Sequence, residues 1–86
     1  MNYQVIFSKG ALKQFKKLPL DLQERIQTDI DELAIEPRPN GVKKLENDLY
    51  RIRVGDYRVI YQIQDNICLV NIVKVSHRSK AYRDES

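Results

Sequence analysis

A pair of short alternating segments joined by two turn residues restricts the fold of this chain more than any other feature. In Leu49–Val54 and Tyr57–Gln64, apolar side chains recur at every second position, as in β-strands with one buried face. The residues between them, Gly55-Asp56, favour a tight hairpin, because glycine at the first central position suits a type II′ turn. Such a turn predicts an antiparallel pair in which Arg53 lies directly opposite Arg58.

A third strand is predicted at Ile67–Val75, after a second turn pair, Asp65-Asn66, that places Tyr61 opposite Val70. Because side chains alternate between the faces of a sheet, the register separates two sets of residues. The apolar face, which helices must cover, collects Tyr50, Ile52, Val54, Tyr57, Val59, Tyr61, Val70 and Ile72. The opposite face collects Arg51, Arg53, Arg58, Gln62 and Asn71 among Leu49, Ile60, Leu69 and Val73.

The first half of the chain predicts one strand and two helices. Tyr3–Phe7 alternates as a strand, and Ser8 is a suitable N-cap for a helix over about Lys9–Lys17. Pro19 separates this helix from a longer one over about Leu20–Ile35. The predicted fold is therefore an α/β (α+β) domain of order β-α-α-β-β-β. Its two helices pack on one face of a mainly antiparallel four-stranded sheet.

Length and composition exclude several classes of protein. The 86 residues suffice for a single domain, residues 1–86, with a thin core. One cysteine and one histidine cannot form an internal disulfide or a structural zinc site, so we expect neither metal nor cofactor. The longest aliphatic run, Ile67–Val70, is far shorter than a membrane span, and the N-terminus has no signal-peptide pattern. We therefore expect a small cytoplasmic protein without a membrane partner.

Positive charge is concentrated in the second half of the chain. Residues 47–83 hold seven of the 15 basic side chains but only three of the 12 acidic ones. Like charges opposed across two strands, such as Arg53 and Arg58, destabilise a sheet by about 0.2–1 kcal/mol. An anionic ligand with phosphate groups explains such a surface, because a guanidinium binds two phosphate oxygens at once. The alternative is a solvated face whose arginines extend into water or pair with acids of the loop.

The C-terminal segment adds three candidate site residues. His77 can exchange protons near neutral pH, Arg78 adds another guanidinium, and Tyr82 can form a hydrogen bond or stack on a base. The alternative for His77 and Tyr82 is packing or simple exposure near the end of the chain.

The segments Leu49–Tyr61 and Val75–Arg83, with Ala-Leu-Lys-x-Phe-x-Lys-Leu-Pro at residues 11–19, resemble the RelE/ParE superfamily of toxins from type II toxin–antitoxin systems. The similarity covers nearly the whole chain and is closest to the RelE branch. It implies a RelE-like fold and a metal-independent endoribonuclease, an mRNA interferase that cuts mRNA in the ribosomal A site. It also implies a cognate antitoxin that neutralises the toxin.

The resemblance further implies which residues act. Its motif positions fall on Arg51, Arg53, Arg58, Arg78 and Tyr82 as catalytic residues, with His77 as a possible proton donor or acceptor. RNA contacts are expected from Arg51, Arg53, Lys74, Lys80 and Arg83. Well-known members have lysines where Arg51 and Arg53 stand. Because arginine does not give up its proton, the identity of the general base stays open.

The expected partners follow from the same resemblance and from charge. They are the ribosome with its mRNA, and an acidic amphipathic antitoxin segment that would bury apolar area and neutralise the arginines. Operator DNA is expected to be bound only through the antitoxin. Two other functions share this sequence pattern: a ParE-like toxin that inhibits DNA gyrase by binding, and a non-toxic module that binds nucleic acid.

Overall fold

The computed structural model describes residues 2–77, in which two helices pack on a five-stranded sheet. The elements are β1 (Gln4–Phe7), α1 (Lys9–Lys16), α2 (Leu20–Leu33), β2 (Lys43–Glu46), β3 (Leu49–Val54), β4 (Tyr57–Gln64) and β5 (Leu69–His77). This arrangement confirms the predicted α+β class. Four predicted site residues lie outside the described residues: Arg78, Lys80, Tyr82 and Arg83.

The sheet has the strand order β1-β5-β4-β3-β2, with β1 parallel to β5 and the other neighbours antiparallel. The predicted count of four strands was wrong, because β2 was not expected. This strand, Lys-Lys-Leu-Glu, is exposed along its whole length. Alternation in a sequence arises from burial of one face, so an edge strand without a buried face gives no such signal.

The first hairpin has the predicted register. Arg53 pairs with Arg58 and Val54 pairs with Tyr57 across the turn. Gly55 has a φ of 62°, and no other residue of this turn has a positive φ, as a type II′ turn requires. A side chain at Gly55 would be strained by this backbone conformation, although its Cβ would meet the Arg25 guanidinium at an ordinary contact distance of 3.5 Å. The turn therefore determines the register of β3 against β4.

The second hairpin is not the predicted two-residue turn at Asp65-Asn66. Asp65–Ile67 form a single turn of 3₁₀ helix, and Cys68 has the left-handed conformation with a φ of 51°. The connection therefore has four residues, and Gln64 pairs with Leu69. A left-handed cysteine is uncommon, so nothing in the residue types indicated this longer connection.

The longer connection shifts the register of β4 against β5 by two residues. Tyr61 pairs with Ile72 instead of Val70, but both partners lie on the same face because side chains alternate with a period of two. A β-bulge then places Lys74 opposite Ile60. The extra residue in β5 moves Lys74 to the face that carries the arginines.

Both helices cover the predicted apolar face of the sheet. The core contains Ala11, Phe15, Ile26, Ile30, Leu33, Tyr50, Ile52, Val54, Val59, Tyr61, Ile63, Val70, Ile72 and Val75, with Tyr57 packed against it. This list includes every side chain that the sequence assigned to the covered face. Within residues 2–77, neither helix is both long enough and apolar enough to span a bilayer.

Helix α1 is fixed to β5 by hydrogen bonds at its start and along its side. The Ser8 hydroxyl caps the helix by accepting from the Ala11 N–H at 3.2 Å, and the Ser8 N–H donates to the Ile72 carbonyl at 2.8 Å. The Gln14 side-chain oxygen accepts from the Val75 N–H at 2.9 Å. These bonds provide partners for backbone groups of β5 that lie beyond the end of β1, and they hold α1 against the sheet.

The loop after α2 is tied to the β4–β5 connection by an ion pair. The Arg38 guanidinium donates to both carboxylate oxygens of Asp65, at 2.8 and 3.2 Å, and to the Tyr50 hydroxyl at 3.2 Å. The Tyr3 hydroxyl donates to Asp65 at 2.6 Å. Arg38 and then Tyr3 stabilise the ionised carboxylate and lower the pKa of Asp65 from 3.8 to about 2.

Because the folded pKa of Asp65 is depressed, the ion pair should stabilise the protein above pH 4 and lose this effect as pH falls towards 2. We expect Asp65→Asn to be less stable than the wild type at pH 6, with the difference shrinking between pH 4 and 2. Urea unfolding of both proteins at several pH values measures this difference in stability. Arg38→Gln should show the same pH dependence, and a difference that is constant from pH 6 to 2 would contradict this role of the pair.

Candidate functional site

Five basic side chains lie on the sheet face opposite the helices, and we call this surface the basic face: Lys43, Arg51, Arg53, Arg58 and Lys74. One row crosses four strands. Lys43 pairs with Arg51, Arg51 with Ile60, and Ile60 with Lys74. Neighbouring strands are about 4.8 Å apart, so the row places Arg51 and Lys74 on either side of Ile60 and Lys43 one strand further out.

The next row contains the predicted arginine pair. Arg53 lies opposite Arg58, and Arg58 lies opposite Ser76 on β5. Arg53 is exposed, whereas Arg58 is only 5% exposed, although it lies on the face that the helices leave uncovered. The pair therefore combines a buried guanidinium with one that is exposed to solvent.

The Arg53 side chain is exposed to solvent, which fits both an anion-binding surface and a solvated face. Within residues 2–77, no carboxylate lies within ion-pair distance of its guanidinium. The ion pair formed in that part of the chain joins Arg38 to Asp65, which follows the far end of β4, roughly 20 Å of strand from Arg58. The alternative of an arginine neutralised by an acid of the loop does not hold for Arg53 among the described residues.

A groove runs beside the basic face, at the edge of β3 that β2 does not cover. Strand β2 begins at Lys43, opposite Arg51, so β3 has no strand neighbour on this side beyond that pair. The groove has a volume of about 510 Å³ and is lined by Asp29, Glu32, Pro39, Asn40, Gly41, Arg51, Ile52 and Arg53. It gives the two arginines an open, polar surrounding on the rim of the sheet.

His77 is not brought together with the arginines. It pairs with Tyr57, whose side chain packs against the core on the helix side of the sheet. The two rings meet edge to face with their centroids 5.3 Å apart. The histidine that the sequence proposed for proton exchange is thus held by an aromatic contact on the face opposite Arg58.

Sequence reasoning placed Lys74 at the site but missed Lys43. Lys74 reaches the basic face only because of the β-bulge, which the residue pattern did not indicate. Lys43 belongs to the unpredicted strand β2. The signal that could have revealed it is the turn pair Asn47-Asp48, in which Asn47 has a φ of 39° and begins the connection to β3.

The donor set of the basic face suits phosphate rather than metal. Among residues 2–77, no three His, Cys, Asp or Glu side chains are grouped so that they could hold a metal ion. Three guanidinium and two ammonium groups offer hydrogen-bond donors and positive charge, and both are complementary to phosphate oxygens. The face can bind an anionic backbone and stabilise negative charge that develops on it.

Comparisons with known proteins identify the family of the chain and confirm its fold. A family model described as ParE toxin of type II toxin-antitoxin system, parDE, matches residues 5–82. Toxin RelE of Mycobacterium tuberculosis is 34% identical over 94% of this chain and 87% of its own. The mRNA interferase toxin RelE of Escherichia coli K12 is 29% identical, and the match covers 94% of this chain and 88% of that toxin. In the archaeal RelE–RelB complex from Pyrococcus horikoshii, a chain superposes with a TM-score of 0.85 at 37% identity, covering 93% of this chain and 99% of that one.

The opposed arginines should cost stability in the absence of a ligand. We expect Arg53→Gln to raise the free energy of unfolding by about 0.2–1 kcal/mol, because it removes a like-charge cross-strand pair. Urea unfolding at low salt measures the change, which should shrink at high salt because ions screen the repulsion. Arg53→Lys keeps the charge and is the control. Loss of stability in Arg53→Gln alone would mean that Arg53 is neutralised in the folded protein.

Proposed function

The chain belongs to the family of ParE toxins of type II toxin–antitoxin systems. Because its relatives include mRNA interferase toxins named RelE, we propose that its basic face binds mRNA and cuts it in the ribosomal A site. The chain is a toxin with mRNA interferase function, like its relatives named mRNA interferase RelE. A cytoplasmic location follows from the same substrate.

The observation that carries the proposal is the cross-strand pair of Arg53 and Arg58. A sheet does not gain stability from two guanidinium groups placed opposite each other. An mRNA backbone would bring negative charge to this pair, and the neighbouring row, about 7 Å along the strands, adds Arg51 and Lys74. Function therefore explains a charge distribution that folding alone disfavours.

The chemistry suited to this face is transesterification by the RNA itself. The 2′-oxygen attacks the adjacent phosphorus, so that the P–O2′ bond forms while the P–O5′ bond breaks. The 2′-hydroxyl proton passes to a base, and the departing 5′-oxygen gains a proton. The products are a 2′,3′-cyclic phosphate and a 5′-hydroxyl. The extra negative charge of the pentacoordinate phosphorane is what the protein must stabilise.

Each described residue has a role that fits its position. Arg58, which is buried, suits the phosphorane, because donors in a site of low dielectric stabilise developing charge most strongly. Arg51, Arg53 and Lys74 would hold the neighbouring phosphates. From the resemblance, Arg78 would share the phosphorane and Tyr82 would orient a base, with Lys80 and Arg83 on the backbone. His77 would have to leave Tyr57 and the helix side of the sheet to reach a phosphate on the basic face.

The partner that neutralises this toxin is a cognate antitoxin, as in the RelE–RelB complexes that share its fold. We propose that an acidic, amphipathic antitoxin segment covers the basic face. It would compete directly with mRNA for the same guanidinium groups. Operator DNA would be bound through the antitoxin, because the toxin's own cationic surface is then occupied.

Sequencing of RNA 5′ ends after brief induction tests the function. We expect cuts in phase with codons that disappear when translation is blocked. Arg58→Ala should lower cleavage by about 10²–10³-fold, the effect of removing one donor from a developing anion. Arg53→Gln should lower cleavage less, because Arg53 is exposed, and Lys44→Gln, which removes a charge from the helix side of β2, should cut normally.

Arg58 is buried, so circular dichroism must show that Arg58→Ala is folded, and Arg58→Lys provides a second variant with the charge retained. Full cleavage by both Arg58 variants would overturn the assigned site. Intact messages together with a DNA-damage response would indicate a gyrase inhibitor. Harmless overexpression with salt-sensitive binding to free nucleic acid would indicate a non-toxic binding module.

A further inference from the structure

The groove beside the basic face has walls of opposite charge. Asp29 and Glu32 line it from α2, and Arg51 and Arg53 line it from β3. The two acids are three residues apart, so they lie about 60° apart on one side of the helix. Within residues 2–77, neither carboxylate has an ion-pair or side-chain hydrogen-bond partner. The acids therefore face the arginines across an open volume of about 510 Å³ without neutralising them.

The edge of β3 adds backbone hydrogen-bonding groups to this groove. In a two-residue hairpin, the residues next to the turn form a hydrogen-bonded pair, here Val54 with Tyr57. Hydrogen-bonded and non-hydrogen-bonded pairs then alternate along the strands, so the Arg53 N–H and C=O point away from β4. Strand β2 begins opposite Arg51 and does not extend to Arg53. The Arg53 backbone therefore offers one donor and one acceptor to the groove.

The loop wall of the groove is fastened to the sheet. Residues 39–41 form this wall. Just before it, the buried Tyr61 hydroxyl donates to the Pro37 carbonyl at 2.7 Å, and Arg38 forms its ion pair with Asp65. The groove is thus already formed in the folded chain, as binding sites for small groups usually are.

The charges of the two walls determine how a nucleotide can lie in the groove. Guanidinium groups bind phosphate, whereas carboxylates repel phosphate and accept hydrogen bonds. A phosphate therefore belongs beside Arg51 and Arg53, and hydrogen-bond donors belong beside Asp29 and Glu32. The exocyclic amino groups of adenine, cytosine and guanine are such donors, and uracil has no amino group.

An acidic protein segment fits the groove less well than it fits the basic face. Its carboxylates would meet those of Asp29 and Glu32, and like charges brought together at an interface cost free energy. The proposed antitoxin segment therefore complements the basic face but not the acidic wall. A nucleotide that combines a phosphate with an amino-bearing base complements both walls.

We propose that the groove binds an mRNA base next to the cleaved phosphate, and that Asp29 and Glu32 select bases with an exocyclic amino group over uracil. This inference rests on the proposed function. Arg53 belongs to both surfaces, because it pairs with Arg58 on the basic face and also lines the groove. An RNA strand that crosses the arginine pair can therefore turn one unstacked base around the edge of β3, where its edge is read by hydrogen bonds.

Ribosomes loaded with a reporter mRNA test this selection. The reporter has one strong cut site, and each nucleotide that flanks the cut is varied through the four bases. We expect the wild type to cut about 10-fold more slowly when the base in the groove is uracil, the discrimination that a good base contact provides. Asp29→Asn/Glu32→Gln should reduce this difference to about twofold, because an amide donates to uracil carbonyls as well as it accepts from amino groups.

The matched control is Glu24→Gln/Asp31→Asn. It removes the same two charges by the same two kinds of substitution, from positions roughly 120° around α2 from the groove pair. The control should retain the full discrimination against uracil. Equal losses in both double variants would mean that net charge alone acts, and would overturn the inference.

The remaining outcomes separate the inference from the proposed function. Equal cutting of all reporters by the wild type, or full discrimination by the groove variant, would overturn the inference alone. A loss of cutting shared by all four bases would mean that the two acids support the fold or the arginines, and would also overturn base selection. Weaker antitoxin binding with unchanged base selection would assign the groove to the antitoxin. Absence of translation-dependent cutting of every reporter by the wild type would overturn the proposed function itself.

Discussion

The type II′ turn at Gly55-Asp56 is the constraint on which the rest of this structure depends. It determines the pairing of β3 with β4, and that pairing sends Ile52 and Val59 into the core while it opposes Arg53 and Arg58 on the other face. The two faces are linked, because a slip of one residue would exchange them. Burial of the apolar side chains therefore keeps the two arginines opposed despite their repulsion. The free energy gained by burying that face is far larger than the roughly 1 kcal/mol that the repulsion costs.

The parts that were predictable from sequence are those where local geometry leaves one solution. A two-residue turn allows a single register, so the first hairpin and the covered face of the sheet were predicted correctly. The second hairpin was wrong because Cys68 takes a left-handed conformation that residue type does not indicate. Strand β2 was missed because an exposed edge strand shows no alternation of burial. Neither error changed which side chains lie on the apolar face and which on the basic face, since a register shift of two residues between β4 and β5 keeps every side chain on its face.

The site was predictable to the same extent and for the same reason. Arg51, Arg53 and Arg58 follow from the first hairpin alone. Lys74 joins them through a β-bulge, and Lys43 through the unpredicted strand, so both depend on irregular or exposed backbone that sequence patterns do not encode. His77 was assigned by residue type rather than by register, and register places it against Tyr57 on the helix side. Chemical suitability did not reveal which face a residue occupies.

The central claim is that the opposed guanidinium groups of β3 and β4 hold an RNA backbone. The most direct test measures how toxin binding to ribosomes depends on salt, once with vacant ribosomes and once with ribosomes that carry mRNA. The mRNA has a 2′-deoxynucleotide at the position that would be cleaved, so that it cannot react. The wild type should show a steeper dependence when mRNA is present, and Arg53→Gln should reduce that difference by about 0.7, the contribution of one phosphate contact on a single strand. An identical dependence with and without mRNA would contradict the account.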